Sequence, residues 1–138
     1  MPARDFYHDI VRNALIKDGW TITHDPYPLK LGQSDLFIDL GAEKILAAEK
    51  GNDKIAVEIK SFIGRSLMAD AESALGQYLI YRKLLMRKEA ERVLFMAIDK
   101  ETLTDTFTDE LEELLTEDFD VKLLVFDKDR EEIVKWQS

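Results

Sequence analysis

The residues best suited to chemistry lie in a short stretch, 54–61, with the sequence Lys-Ile-Ala-Val-Glu-Ile-Lys-Ser. A Gly-Asn-Asp turn precedes this β-branched stretch, so the pattern predicts a β-strand. Because successive strand side chains point to opposite faces, Glu58 and Lys60 share one face and Ile59 lies on the other. A carboxylate and an ammonium among apolar neighbours need a partner, a metal ion or a route to solvent.

The composition limits what kind of protein can carry this pair. With 138 residues, 46% of them hydrophobic, we expect one globular domain, 1–138. The absence of cysteine excludes disulfides and thiolate metal sites, and it fits a reducing cytoplasm. The sequence contains no apolar run of membrane-spanning length and no signal segment, so we expect a soluble cytoplasmic protein. The formal charge of −9 disfavours a stand-alone nucleic-acid coat but not a metal-dependent nuclease, and it favours a helper protein.

The elements that must position the pair follow from apolar periodicity and turn signals. Helices are predicted over 4–17, 67–87 (capped by Ser66) and 104–117, and strands over 20–24, 35–40, 45–50, 54–61, 92–98, 121–126 and 132–136. A hairpin-rich sheet with helices before and after it indicates a mixed α/β (α+β) fold in two or three layers.

Taken alone, the acid-x-Lys pattern is weak evidence for a site. It occurs twice, at Glu58-Ile59-Lys60 and at Asp120-Val121-Lys122, and the composition alone predicts about two occurrences. Only the first lies inside a predicted strand, with the strand-borne Asp39 before it and a long helix after it. This order resembles that of nucleases of the PD-(D/E)xK type, in which two carboxylates and a backbone carbonyl suit Mg²⁺.

Six separate motifs resemble those of one family. They are Arg-Asp-x-Tyr-His at 4–8, Lys-Asp-Gly-Trp at 17–20, Asp-Leu-Gly-Ala-Glu at 39–43, Ala-Ala-Glu-Lys at 47–50, Ala-Val-Glu-Ile-Lys-Ser-Phe at 56–62 and Leu-Gly-Gln-Tyr at 75–78. Together they cover nearly the whole chain and resemble the XisH family, the fdxN element excision controlling factors of heterocyst-forming cyanobacteria.

The resemblance implies a restriction endonuclease-like fold, with an αβββαβ core, a mixed central sheet flanked by helices, and a C-terminal hairpin. It also implies a role in programmed excision of a DNA element, with DNA contacted through a complex. The partners would be a site-specific recombinase and a small XisI-type companion. A homo-oligomer, in which a second copy of the chain is the partner, is an additional hypothesis. A Mg²⁺-dependent DNA endonuclease activity is implied only by the fold, and fold does not settle function.

Carried over residue by residue, the resemblance assigns the metal ligands and the catalytic residues. Asp39, Glu58 and the carbonyl of Ile59 would bind Mg²⁺ or Mn²⁺, Lys60 would be the catalytic lysine, and Gln77 would be a polar site residue on the following helix. A metal-bound water becomes more nucleophilic, and the lysine can orient it or stabilise the transition state. The proline that often precedes the first acid is missing.

Several positions keep a second interpretation. Asp35 fits the first acid about as well as Asp39, and Asp39 could instead cap a turn at Gly41. Glu58 and Lys60 could form an exposed ion pair at a sheet edge, worth about 0–1 kcal/mol. Glu49 could reach the site or be a solvated carboxylate, and His8 is expected to be a packing or hydrogen-bonding residue.

Two other functional classes also stay open. One is a non-catalytic accessory or scaffold protein that binds the recombinase or the companion. The other is a toxin-like nuclease that the companion neutralises.

Overall fold

The computed structural model of the chain describes residues 7–31, 34–35, 45–64 and 66–137. Its main element is a six-stranded sheet. The strands of this sheet are β1 (Thr21–His24), β4 (Leu46–Lys50), β5 (Asp53–Ile59), β6 (Arg92–Asp99), β7 (Leu123–Asp127) and β8 (Glu132–Gln137), and they lie side by side in that order. Two short strands, β2 (Lys30–Leu31) and β3 (Ser34–Asp35), form a separate antiparallel pair.

The centre of the sheet is parallel and its flanks are antiparallel. β5, β6 and β7 run parallel, whereas β4 pairs with β5 and β8 pairs with β7 in antiparallel hairpins. In the parallel register Glu58 lies beside Met96. The strand that carries Glu58 is therefore an interior strand with a neighbour on each side.

Helices cover both faces of the sheet. Helix α1 (His8–Lys17) packs on one face, where the alternating strand residues Leu46, Val57, Ile59, Ala97, Leu124 and Phe126 are buried. Helix α2 (Leu67–Lys88) and the helical segment 102–118 cover the other face, over Ala47, Ala56, Leu94, Met96, Leu123 and Val125. The result is three layers around a mixed sheet, so the predicted mixed α/β class is confirmed.

Helix α2 begins and packs as its sequence predicts. The Ser66 hydroxyl accepts a hydrogen bond from the backbone N–H of Ala69 at 3.2 Å, which satisfies one of the free donors of the first turn. A stripe at helical spacing faces the sheet: Ala71, Ala74, Tyr78, Tyr81 and Leu85. In the described part of the chain, neither this helix nor any other has the length and apolar character to cross a membrane.

The single helix expected over 104–117 is wrong. The structure has a π-helical turn at Thr102–Thr106, a short helix α3 (Asp109–Glu113) and a second π-helical turn at Leu114–Asp118. Phe107 is extended and its ring packs edge-on against Phe62, at 4.9 Å between centroids. The Thr108 hydroxyl then caps α3 by accepting from the Leu111 N–H at 3.1 Å. A tertiary contact and a new cap therefore interrupt the helical periodicity.

The C-terminal hairpin packs against the N-terminal part of the chain. Asn13 donates to Glu131 at 2.7 Å, and Lys17 donates to the Arg130 carbonyl at 2.8 Å. The rings of Trp20 and Trp136 lie 5.6 Å apart. α1 thus depends on β8, an element more than one hundred residues later, for part of its packing.

Candidate functional site

Strand β5 and the residue that directly follows it place Glu58 and Lys60 on one face of the sheet, the face covered by α2. Ala56, two residues earlier, and Met96, the partner of Glu58 across the register, both belong to the core on that side. The exposed fraction is 1% for Glu58 and 9% for Lys60. The alternative of an exposed ion pair at a sheet edge is therefore wrong, because both residues are buried at an interior strand.

Helix α2 brings Gln77 to Lys60. The Lys60 ammonium donates a hydrogen bond to the Gln77 side-chain carbonyl. The backbone N–H of Lys60 donates to the Ala97 carbonyl at 3.1 Å, which fixes the end of β5 against β6. Two residues that the resemblance assigned to one site, 17 positions apart in sequence, are therefore in direct contact.

A cleft of about 260 Å³ opens beside this pair, between the loop after β5 and the first turns of α2. Its polar lining comes from Lys60, Ser61, Asp70, Ser73 and Gln77. Lys60 and Gln77 line this cleft, whereas Glu58 is buried and is not among its lining residues.

The loop that forms one wall of the cleft is held by two contacts. The Gly64 N–H donates to Asp70 at 2.8 Å, and a Cβ at position 64 would lie closer than 3.0 Å to that carboxylate. Phe62 packs against Phe107. A side chain at position 64 would therefore displace the Asp70 carboxylate or the loop.

The oxygen donors expected for a metal are only partly within the described residues. Asp39 and Gly41 lie outside them, and of Asp35 the structure gives only its place in β3. Among residues 7–31, 34–35, 45–64 and 66–137, no three His, Asp or Glu residues are grouped to hold a metal ion. Glu58 and the Ile59 carbonyl are oxygen donors of the type that Mg²⁺ prefers, so the donor chemistry fits this ion if Asp39 or Asp35 supplies a second acid.

The other polar residues of the β4–β5 hairpin belong to the opposite end of the sheet. Glu49 is partly exposed and does not reach Lys60, because it pairs with the buried Arg92 guanidinium at 3.3 Å. Lys50 donates to the Asp18 carbonyl at 2.7 Å, and Lys54 lies 3.5 Å from Glu89. Lys60 lies six positions after Lys54, which is about 20 Å along an extended chain.

A polar cluster around Arg92 closes that opposite end, and the sequence did not predict it. Arg92 contacts Glu89 at 2.8 Å and donates to the Ile55 carbonyl at 2.9 Å, and its guanidinium lies 5.1 Å from the Tyr27 ring. Hydrogen bonds from Arg92 lower the pKa of Glu89 from 4.5 to about 2, against the opposing effect of burial. Burial, helped by Glu89, raises the pKa of Tyr27 to about 12. The sequence feature that could have indicated this cluster is an arginine at the first position of an apolar strand.

His8 is a hydrogen-bonding residue, as expected. Its ring is 2% exposed, and Nε2 lies 2.9 Å from Asp25 Oδ1. Arg12 holds the other oxygen of the same carboxylate at 2.7 Å. This cluster ties α1 to the segment that follows β1.

The chain was compared with known proteins. The family model described as XisH protein matches residues 1–134. The crystal structure of an XisH family protein from Nostoc punctiforme PCC 73102 is 38% identical, with a TM-score of 0.86, over 97% of this chain and 100% of that one. An fdxN element excision controlling factor protein from Anabaena variabilis is also 38% identical, with a TM-score of 0.86, over 98% of this chain and 100% of that one. No curated protein matches. The chain belongs to the XisH family.

Proposed function

We propose that this chain is a controlling factor for site-specific excision of a DNA element, and that its Glu58–Lys60 face is a Mg²⁺- or Mn²⁺-dependent phosphodiesterase site. The first half rests on similarity to the Anabaena variabilis protein that bears that name, at 38% identity over 98% of this chain. The second half rests on one observation. A carboxylate and an ammonium are buried two positions apart at the end of an interior strand, and the ammonium is held by Gln77 at the edge of a cleft.

The proposed roles follow from the donors present. Glu58, the Ile59 carbonyl and Asp39 would hold the cation, within a restriction endonuclease-like domain. When bound, a divalent cation lowers the pKa of a water ligand and neutralises phosphate charge. Lys60 would orient the attacking water or stabilise charge on the phosphate, and Gln77 would hold the lysine at the cleft. DNA would enter from the cleft side, where Ser61 and Ser73 supply neutral hydrogen-bonding groups.

A cleavage assay tests the proposed phosphodiesterase activity. Supercoiled, linear and branched DNA are incubated with Mg²⁺ or Mn²⁺, with and without the XisI-type companion. Glu58→Gln and Lys60→Met should each reduce cutting by about a hundredfold or more, as expected for loss of a group that acts in the transition state. Lys54→Met is the matched control, because it removes a lysine from the same strand about 20 Å away.

Two results would refute the proposed phosphodiesterase activity. One is no metal-dependent cutting on any substrate with the companion present, together with no Mn²⁺ binding by calorimetry. The other is cutting that survives both site substitutions, since a contaminating nuclease would do the same. Circular dichroism on each variant separates loss of activity from loss of the fold.

The second candidate function is a non-catalytic accessory protein that binds the recombinase or the XisI-type companion. The observation that favours it is the 1% exposure of Glu58, which is not among the residues that line the cleft, together with the formal charge of −9. It predicts that excision in a reconstituted system survives Glu58→Gln and Lys60→Met. A toxin-like nuclease instead predicts growth arrest when the chain is expressed without the companion.

A further inference from the structure

The side of α2 that faces away from the sheet is unusually apolar. Met68, Ile80 and Met86 are exposed by 53%, 51% and 56%, on a helix whose other side is already buried in the core. At 100° per residue, Gly76 lies directly opposite the buried stripe centred on Tyr78. A helix covered on one side normally carries polar residues on the other. We call this surface, formed by Met68, Glu72, Gly76, Ile80, Lys83 and Met86, the outer α2 face.

Contacts among the described residues of one copy do not explain Gly76. It lies in the middle of a 22-residue helix, where glycine costs about 1 kcal/mol relative to alanine. A Cβ at this position would meet no described residue within 4 Å, so packing within the described part of the fold does not require a glycine here. A glycine on an exposed helix face lets another backbone approach closely.

The outer α2 face is complementary to itself. Its acid, Glu72, lies in the N-terminal half and its base, Lys83, in the C-terminal half, and Met68 and Met86 lie nine positions before and after Gln77. If two α2 helices pack antiparallel about a two-fold axis near Gln77, Met68 faces Met86 of the second copy and Glu72 faces Lys83 of the second copy. Both charge pairs then form at once, since a two-fold interface repeats every contact.

We propose that a second copy of this chain docks on the outer α2 face, with the two α2 helices antiparallel and closest at Gly76. The helix is about 33 Å long. Packing near 20°, as in helix bundles, keeps the methionine pairs and the charge pairs in contact over most of that length. A parallel arrangement would instead place acid against acid and base against base. The charge order selects the antiparallel one.

Sedimentation velocity over a concentration series tests this dimer. Wild type should show a reversible monomer–dimer equilibrium. Gly76→Leu should raise the dissociation constant by about tenfold or more, because the new side chain keeps the helices apart. Leucine favours a helix over glycine, so this variant should fold at least as well as wild type. Ile80→Glu should have the same effect by placing a charge in the interface.

Charge reversal supplies the sharper test. Glu72→Lys alone and Lys83→Glu alone should each weaken the dimer, and the double reversal should restore it, because opposite charges again face each other. Glu113→Lys, an exposed acid on α3, is the control and should change nothing.

Three outcomes would overturn the proposal. The first is a wild-type chain that stays monomeric at every concentration. If Ile80→Glu then abolishes binding of an XisI-type companion, the outer α2 face binds that companion and not a second copy. The second is a dimer unaffected by Gly76→Leu. The third is a double reversal that is no better than the two single ones.

Discussion

Protonation of Glu89 should weaken the fold in a defined pH window. Hydrogen bonds from Arg92 lower the pKa of Glu89 from 4.5 to about 2. A folded-state pKa below the unfolded value means that the ionised form stabilises the fold. The contribution is therefore fully present above about pH 4.5 and is lost as the pH falls toward about 2.

The size of this contribution follows from the shift and from the exposure of the pair. At 1.36 kcal/mol per pH unit, the shift corresponds to roughly 3 kcal/mol. The Arg92 side chain is 2% exposed, but that of Glu89 is 21% exposed, so water screens the pair. We therefore expect about 1–2 kcal/mol of unfolding free energy from the ionised Glu89.

Urea unfolding of wild type and Glu89→Gln between pH 7 and pH 2 measures this contribution. The variant should be less stable by about 1–2 kcal/mol at pH 7, and the difference should shrink toward zero near pH 2. Glu91→Gln is the matched control. It makes the same charge change two residues away, at a side chain that is 62% exposed, and should cost no more than about 0.5 kcal/mol. A wild-type advantage over Glu89→Gln that is the same at every pH would refute the reasoning.

Two further substitutions test the packing of α2. Tyr78→Phe should destabilise the protein by about 2 kcal/mol, because two backbone groups would lose a hydrogen-bond partner. The Tyr78 hydroxyl donates to the Leu94 carbonyl at 2.8 Å and accepts from the Lys122 N–H at 3.1 Å. A thermal melt unchanged from wild type would contradict this. Ser66→Ala should cost about 1 kcal/mol in chemical denaturation, since it removes the hydroxyl that caps the Ala69 N–H, whereas Ser66→Asp should recover most of the loss.

Local signals in the sequence were sufficient for most of the fold. The strand predicted at 54–61 is found at Asp53–Ile59, and the helix predicted at 67–87 is found at Leu67–Lys88 with its Ser66 cap. Both depend on periodicity and capping, which act between near neighbours. The prediction of a single helix over 104–117 failed because a contact between Phe107 and Phe62, 45 positions earlier in the sequence, overrides the helical periodicity.

The candidate site was predictable only in part. Alternation along a strand places Glu58 and Lys60 on one face, but no spacing rule places Gln77 against Lys60. That contact came from the family resemblance, because it needs the crossover from β5 through α2. The Arg92 cluster was missed for the same reason, since its carboxylates at 49 and 89 come from different elements. The assignment of Asp39 as a metal ligand stays a prediction.

The packing of α1 against the C-terminal hairpin has a consequence for synthesis on the ribosome. Asn13 and its partner Glu131 are 118 residues apart, so at ordinary elongation rates the helix waits roughly 6–24 s for the hairpin to be made. During that interval its apolar stripe of Val11, Ala14 and Leu15 lacks part of the surface that later buries it. The nascent chain should therefore be a chaperone client until the last strand emerges, and α1 should be among the last elements to dock.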